Sequence, residues 1–142
     1  MTPYVQEVQK LVEKAGERVK FTGYIENQKL YRYYQSADIQ VIPSLWEEAA
    51  GLIAIEGMLS GLPLIITKSG GMIEYAPSNV AVWIDRDNII PNLEATIIQL
   101  ADDKEKRKEM SELSLEQAKE FPKKKFYEDY IEVFEHEGTR KR

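Results

Sequence analysis

The fold is decided by residues 39–67, which read IQVIPSLWEEAAGLIAIEGMLSGLPLIIT. Residues 39–42 form an apolar run of strand length, and Pro43 ends it. After a loop over 43–48, residues 49–59 predict a helix with an apolar face, which Gly61 ends. Residues 64–67 are a second apolar run. Two buried strands joined through a helix indicate a parallel sheet.

The rest of the chain continues this alternation of strands and helices. Upstream, the pattern predicts a helix that begins at Thr2-Pro3 and ends at Gly16, a strand over 19–21 and a helix over 27–37. Downstream, it predicts a helical turn at 72–75, a strand at 80–84 and helices over 91–101, 104–119 and 123–137. We therefore expect an α/β fold, a Rossmann-like parallel sheet with helices on both faces.

The composition excludes several classes of protein. The net charge of −5 argues against a nucleic-acid-binding protein, and the absence of cysteine excludes disulfides and cysteine metal sites. The single histidine, His136, lies in a charged segment and is expected to be solvated. No segment resembles a signal peptide or approaches the ~18 apolar residues of a membrane span. These features predict a soluble, cytoplasmic protein.

Ligands of parallel sheets bind beyond the carboxyl ends of the strands, which directs attention to the loops at 23–25, 43–51 and 67–74. The helix predicted after the second of these loops starts with alanine and glycine, so little side-chain bulk covers its free N–H groups. Those groups and the helix dipole favour an anion. A diphosphate fits this environment.

Two glutamates flank the start of this helix. Glu48 and Glu56 would lie about 12 Å apart along the axis if one helix spanned both, at ~1.5 Å rise per residue. That separation is too long for an acid/base pair, but it suits carboxylates that bind the two ends of an extended ligand such as a nucleotide sugar. The alternative is that Glu48 merely complements the helix dipole. That alternative suits Glu56 less well, because its neighbours Ile55 and Met58 are apolar.

Several ordered motifs accompany the two glutamates. Pro43-Ser44 precede them, Gly61-Leu-Pro63 follows them, and Gly70-Gly71-Met-Ile-Glu74 comes next. With the segments at 19–24 and 34–38, this series resembles the carboxyl-terminal domain of family 4 glycosyltransferases over residues 2–134. The resemblance implies the donor-nucleotide half of a GT-B fold, and therefore a retaining glycosyltransferase.

The resemblance also implies roles for individual residues. Glu48 is the implied catalytic residue, in contact with the hydroxyls of the donor sugar, and Glu56 would bind the ribose. The other implied donor-binding residues are Ala49, Ala50, Gly51 and Leu52 at the helix start and Gly23, Tyr24 and Ile25 against the base. Such enzymes need neither a metal nor another cofactor, because the helix end stabilises the departing diphosphate. The implied partner is a nucleotide-diphosphate sugar, transferred to an unidentified acceptor.

The chain departs from the family pattern in three places. Ala50 stands where the family has a bulky aromatic residue, and Trp46 either compensates in packing or is exposed in the acceptor cleft. The first two strand–helix units of the family domain and the amino-terminal acceptor domain are absent, so residues 1–138 read as a partial domain and 139–142 as a disordered basic tail. We expect the chain alone to be inactive. We also expect a rearranged sheet, a strand-exchanged homodimer or pairing with another fragment, because residues 19–21 lack their family neighbour.

Other functions remain open at this stage. The same fold serves sugar-nucleotide epimerases and phosphorylases, although their signatures are not evident here. A non-catalytic nucleotide-binding or interaction module would retain the fold without the chemistry. Membrane contact at the inner face, through Lys123-Lys-Lys125 with Phe126 and Tyr127, competes with the plainer interpretation that these aromatic residues pack in the core.

Overall fold

A computed structural model of the chain describes residues 2–47 and 51–121. The predicted helix over 123–137, the basic tail at 139–142 and the lysine and aromatic cluster at 123–127 lie outside the described residues. The chain divides into two compact units, Met1–Arg32 and Tyr33–Arg142.

The first unit begins with helix α1, Pro3–Ala15. The Thr2 hydroxyl accepts a hydrogen bond from the N–H of Val5 at 3.5 Å, which satisfies one of the free donors at the helix start. Gly16, at φ +65°, ends the helix, and a short 3₁₀ turn over Gly16–Arg18 follows. Helix α2 is Asn27–Ser36, one residue shorter than predicted.

The strand predicted at 19–21 is wrong, because these residues are irregular. Val19 and Phe21 are 47% and 49% exposed. A strand is stable only when a neighbouring strand pairs with its backbone, and the described sheet contains no strand from this segment. A short segment with the composition of a strand predicts the capacity to pair, but it does not supply the partner.

The second unit contains the sheet. Its elements are β1 Gln40–Ile42, α3 Leu52–Leu59, β2 Leu64–Thr67, α4 Met72–Tyr75, β3 Ala81–Ile84, α5 Ile89–Asp102 and α6 Lys104–Ala118. The strands pair in the order β1-β2-β3, and both pairings are parallel, with Ile42 opposite Ile66 and Ile66 opposite Trp83. The α/β fold with a Rossmann-like parallel sheet is therefore confirmed.

Both faces of the sheet are covered, as the unbroken apolar runs predicted. Leu64 and Ile66 point to one core cluster, which includes Ala54 and Met58 of α3. Ile65, between them in sequence, points to the other cluster with Leu100 and Met110 of α5 and α6. This period of two follows from the pleat of the strand. The carboxyl ends of all three strands consequently meet at one edge.

Candidate functional site

Helix α3 starts at this carboxyl edge, directly after Gly51. Gly51 is buried and has no side chain to cap the helix, and its ψ of 58° is not helical. The helix therefore begins at Leu52 rather than at the predicted residue 49. The estimated separation of Glu48 and Glu56 assumed a helix spanning both residues, so it does not apply. Leu52 is 64% exposed at the first helical position. The N–H of Ala54 donates to the carbonyl of Gly51 at 2.8 Å, whereas the N–H groups of Leu52 and Ile53 have no intrahelical acceptor among the described residues.

Close packing explains why the position before α3 is a glycine. A Cβ on Gly51 would lie 2.3 Å from Cγ of Met72, at the start of α4. Met72 is fully buried, so it has no room to withdraw. The backbone at the start of α3 is therefore pressed against α4, and no side chain of residue 51 shields it.

Glu56 is held in place by a tyrosine that the motifs did not single out. The hydroxyl of Tyr34, on α2, donates a hydrogen bond to Oε2 of Glu56 at 2.8 Å. Glu56 is exposed, and among the described residues none donates to its Oε1. The carboxylate is thus oriented through one oxygen, and the other oxygen is open to a ligand. Tyr34 lies in the matched segment 34–38. Its partner Glu56 is 22 residues away, so a local sequence pattern does not reveal this contact.

This contact changes the acidity of Tyr34. Burial of the phenol, followed by the hydrogen bond to Glu56 and the negative charge of that carboxylate, raises the pKa of Tyr34 from 10.0 to about 12. Because the folded pKa lies above the unfolded one, the stabilisation is complete below pH 10 and is lost as the pH rises through about 12.

We predict that Glu56→Gln will lower the pKa of Tyr34 towards its ordinary value, because the variant removes the negative charge next to the phenol. Ultraviolet titration of tyrosinate, with Tyr34→Phe to assign the signal, measures the change. Glu112→Gln removes an exposed carboxylate from α6 and should leave the titration as it is in the unaltered chain. A Tyr34 signal that does not move in Glu56→Gln would contradict the contact.

The loops that follow the three strands are joined by a second carboxylate, Glu47. Its Oε2 accepts the N–H of Gly70 at 2.6 Å, and its Oε1 accepts a charged hydrogen bond from Nη2 of Arg86. Arg86 in turn donates from Nε to the carbonyl of Lys68 at 3.0 Å. The Arg86 guanidinium, followed by the Gly70 N–H, holds the pKa of Glu47 below its ordinary value. Glu47 therefore stays ionised and ties the β1 loop to the loops after β2 and β3.

Two further contacts fix the same edge. The buried hydroxyl of Thr67 donates to the carbonyl of Ser44, and so attaches the Pro43-Ser44 loop to the end of β2. Lys68 forms an ion pair with Asp85 at 2.8 Å. Sequence patterns pointed to the loops but not to Glu47, Arg86 or Thr67, since each acts on a partner at least 23 residues away.

The predicted site residues are distributed as follows. Glu48, Ala49 and Ala50 lie outside the described residues. Gly51, Leu52 and Glu56 lie together on the start and first turns of α3. Three predicted residues belong to the first unit: Gly23 at φ +67°, Tyr24, which is 89% exposed, and the partly buried Ile25.

Trp46 and one acidic pair complete the inventory of this edge. Trp46 is 82% exposed, so the alternative in which it packs in the core is wrong. Asp85 and Asp87 flank Arg86 at the same edge. Here Asp85 pairs with Lys68, and the described residues contain no group of three or more side chains suited to a metal ion.

Among the helices in the described part of the chain, none has the length and hydropathy of a membrane span.

A parallel α/β sheet with a glycine-led helix at its carboxyl edge defines a Rossmann-like domain. Comparison with known families specifies it further. Residues 2–117 match the family described as glycosyl transferases group 1, and the chain belongs to that family.

Individual relatives agree with this assignment. The chain is 32% identical over 107 residues to a D-inositol 3-phosphate glycosyltransferase of Corynebacterium diphtheriae, covering 75% of this chain and 25% of that protein. It is 35% identical over 68 residues to an uncharacterized glycosyltransferase of Methanocaldococcus jannaschii, covering 47% of this chain and 17% of that protein.

A solved structure confirms the architecture. Sucrose-phosphate synthase from Thermosynechococcus elongatus superposes with a TM-score of 0.70 at 25% identity, covering 92% of this chain and 34% of that one. The chain therefore has the fold of a carboxyl-terminal GT-B domain and spans between about a sixth and a third of the length of these proteins.

Proposed function

We propose that this chain binds a nucleotide-diphosphate sugar and acts as the donor half of a retaining glycosyltransferase. The observation that carries the proposal is Glu56, which Tyr34 orients on a helix that starts at the carboxyl edge of the sheet. Membership of the group 1 glycosyltransferase family supports it.

The chemistry follows from the arrangement of α3. Glu56 accepts hydrogen bonds from the ribose hydroxyls through Oε1, while Tyr34 occupies Oε2. The N–H groups of Gly51, at the N-cap of α3, and of Leu52, its first residue, would point at the diphosphate, whose charge the helix dipole favours. This attraction grows as the sugar–phosphate bond breaks and negative charge develops on the leaving diphosphate. The arrangement thus makes a bound metal unnecessary in the proposal.

Glu48 is proposed to contact the hydroxyls of the donor sugar, beside the backbone of residues 49 and 50. Gly23, Tyr24 and Ile25 are proposed to lie against the base, which Tyr24 would stack. An acceptor-binding domain would correspond to the portion of the relatives that this chain does not span. A cytoplasmic location is part of the proposal, and fractionation of cells that produce the chain tests it.

The test is a titration of the chain with UDP, GDP, ADP and their glucose adducts, followed by amide NMR shifts. We expect saturable shifts over residues 51–56 with one base preferred. Glu56→Ala should weaken binding by about tenfold or more, because hydrogen bonds to a charged group contribute about 1.5–3 kcal/mol.

A matched control separates this effect from a general loss of charge. Glu112→Ala removes an exposed carboxylate from α6 and should bind as the unaltered chain does. Equal weakening in both variants, or shifts confined to other parts of the chain, would count against the donor site.

A non-catalytic interaction module that retains the fold is the second candidate. Such a module would retain the sheet, and the contacts of Glu47 with Gly70 and Arg86, for stability, but it would not bind a ligand through Oε1 of Glu56. Its function would therefore not respond to Glu56→Ala. Nucleotide titration of this variant thus distinguishes the two candidates.

A further inference from the structure

The opposite edge of the sheet carries a cleft of about 260 Å³, which we call the amino-edge cleft. Its walls include Asp38, just before β1, Pro63, just before β2, and the first three turns of α6. Only Tyr34 is shared between its lining and the carboxyl-edge site. The volume is below the range of about 300–1,000 Å³ that encloses drug-sized ligands, so the cleft suits a small molecule rather than a whole nucleotide.

One wall of the amino-edge cleft is basic. Lys104, Arg107, Lys108 and Ser111 line it and follow one another at helical positions i, i+3, i+4 and i+7, which places them on a single face of α6. The whole chain has a net charge of −5, so this wall is opposite in sign to the molecule as a whole. A localised positive cleft on an acidic protein concentrates small anions.

The placement of these cations is unfavourable without a ligand. Lys104 is the first residue of α6, where the positive end of the helix dipole repels a cation. Lys104 and Lys108 are also like charges four residues apart, which repel each other. Neither lysine forms an ion pair with another described residue, whereas Lys106, on a different face, pairs with Glu109 at 2.9 Å. An anion in the cleft would offset both repulsions.

Arg107 gives the wall a fixed donor. Its Nη1 donates to the carbonyl of Leu100 at 2.9 Å and to that of Ala101, so the end of α5 holds the guanidinium in place. Nε and Nη2 donate to no other described residue, so they can form the two parallel hydrogen bonds that phosphate oxygens accept.

Gly61 and Asp38, which also line the amino-edge cleft, indicate which other groups the ligand carries. At Gly61, where φ is +69°, an added Cβ would lie 3.3 Å from Oγ of Ser111, so a glycine keeps this part of the cleft open. Asp38 supplies a carboxylate to the same cleft. A carboxylate disfavours a bare dianion but accepts hydrogen bonds from hydroxyls.

We propose that the amino-edge cleft binds a small, soluble, hydroxylated phosphate monoester. Lys104, Arg107 and Lys108 hold its phosphate, and Asp38 accepts its hydroxyls. Apart from Tyr34, this site and the proposed donor site on α3 share no described residue.

The test uses the full chain with inorganic phosphate, glycerol phosphate and glycerol as probes at constant ionic strength. Amide NMR shifts at Gly61 and Ser111 should saturate with glycerol phosphate, less tightly with inorganic phosphate, and not with glycerol. The double variant Lys104→Gln/Lys108→Gln should weaken binding by about tenfold or more. Its melting temperature should not fall, because the replaced charges repel each other.

The control is Lys106→Gln/Lys119→Gln, which removes one charge from α6 and one from its C-cap, both outside the cleft. It should bind glycerol phosphate as the unaltered chain does, and nucleotide binding at α3 should be the same in all variants. If both double variants bound glycerol phosphate equally weakly, the effect would come from the overall charge of the chain rather than from the cleft, and the proposal would be overturned. Absence of saturation, or binding only to vesicles that contain phosphatidate, would overturn it as well.

Discussion

Gly51→Ala is expected to lower the free energy of unfolding by about 2 kcal/mol, as overpacking of a close-packed core does. The new methyl group would lie 2.3 Å from Cγ of Met72 and 3.3 Å from its Sδ. Met72 is fully buried between α3 and the sheet, so either α4 or the start of α3 has to shift. Because that start is the proposed diphosphate site, nucleotide binding should weaken together with stability.

A double-mutant cycle in urea isolates the contact. Met72→Ala alone should cost about 2–5 kcal/mol through the cavity that it leaves. In that background the methyl group of Gly51→Ala has room, so the double variant should be more stable than the sum of the two single effects predicts. Met110→Ala is the control, because Met110 is an equally buried methionine in the other core cluster. Two outcomes would show that the contact with Met72 does not cause the loss of stability in Gly51→Ala. One is that the losses from Gly51→Ala and Met72→Ala simply add, and the other is that Met110→Ala reduces the effect of Gly51→Ala as much as Met72→Ala does.

The parts of the fold that sequence reasoning predicted well are those fixed by local patterns. The strand at 64–67 and the turn at 72–75 agree with the structure residue for residue. All four residues of the strand are buried, so its apolar run is unbroken, and Pro63 marks its start. A buried parallel strand requires this pattern on both faces, which makes the local signal sufficient.

Predictions failed where a distant partner decides the outcome. The run at 19–21 has the composition of a strand but does not pair, and pairing is a property of the sheet rather than of the run. Alanines favour a helix, so the sequence predicts a start at residue 49, whereas Gly51 has a non-helical ψ of 58° and α3 begins at Leu52.

The candidate site shows the same division. Glu56 and Gly51 were identified because they belong to a motif of fixed spacing. Tyr34 orients Glu56 across 22 residues, and Arg86 reaches Glu47 across 39, so neither contact has a local signature. The motif therefore identified the ligand-facing residues but not the residues that hold them in place.

Gly57 lies in the second half of α3, where the helix packs closely against the sheet. Gly57→Ala is the second substitution with a large expected effect. The new Cβ would lie 1.8 Å from Oε1 of Gln40 on β1 and 2.8 Å from Cδ2 of Leu64 on β2. Alanine favours a helix over glycine by about 1 kcal/mol, but overpacking against a buried leucine costs up to about 3 kcal/mol. We expect a net loss of about 2 kcal/mol in the free energy of unfolding.

Gln40 makes this prediction testable. Its Nε2 donates to the carbonyl of Ile53 at 3.2 Å, while its buried Oε1 has no partner among the described residues. Gln40→Ala removes that unpaired oxygen together with the closest obstacle to a methyl group at position 57. The loss of stability caused by Gly57→Ala should therefore shrink in the Gln40→Ala background but not in the background of Gln99→Ala, which replaces an exposed glutamine on α5.

Since Glu56 is adjacent to Gly57, a shifted α3 would also separate Glu56 from Tyr34. The alkaline titration of Tyr34 should then move towards its ordinary value in Gly57→Ala and return in the double variant, whereas an unchanged titration would mean that Glu56 keeps its place when the helix is displaced.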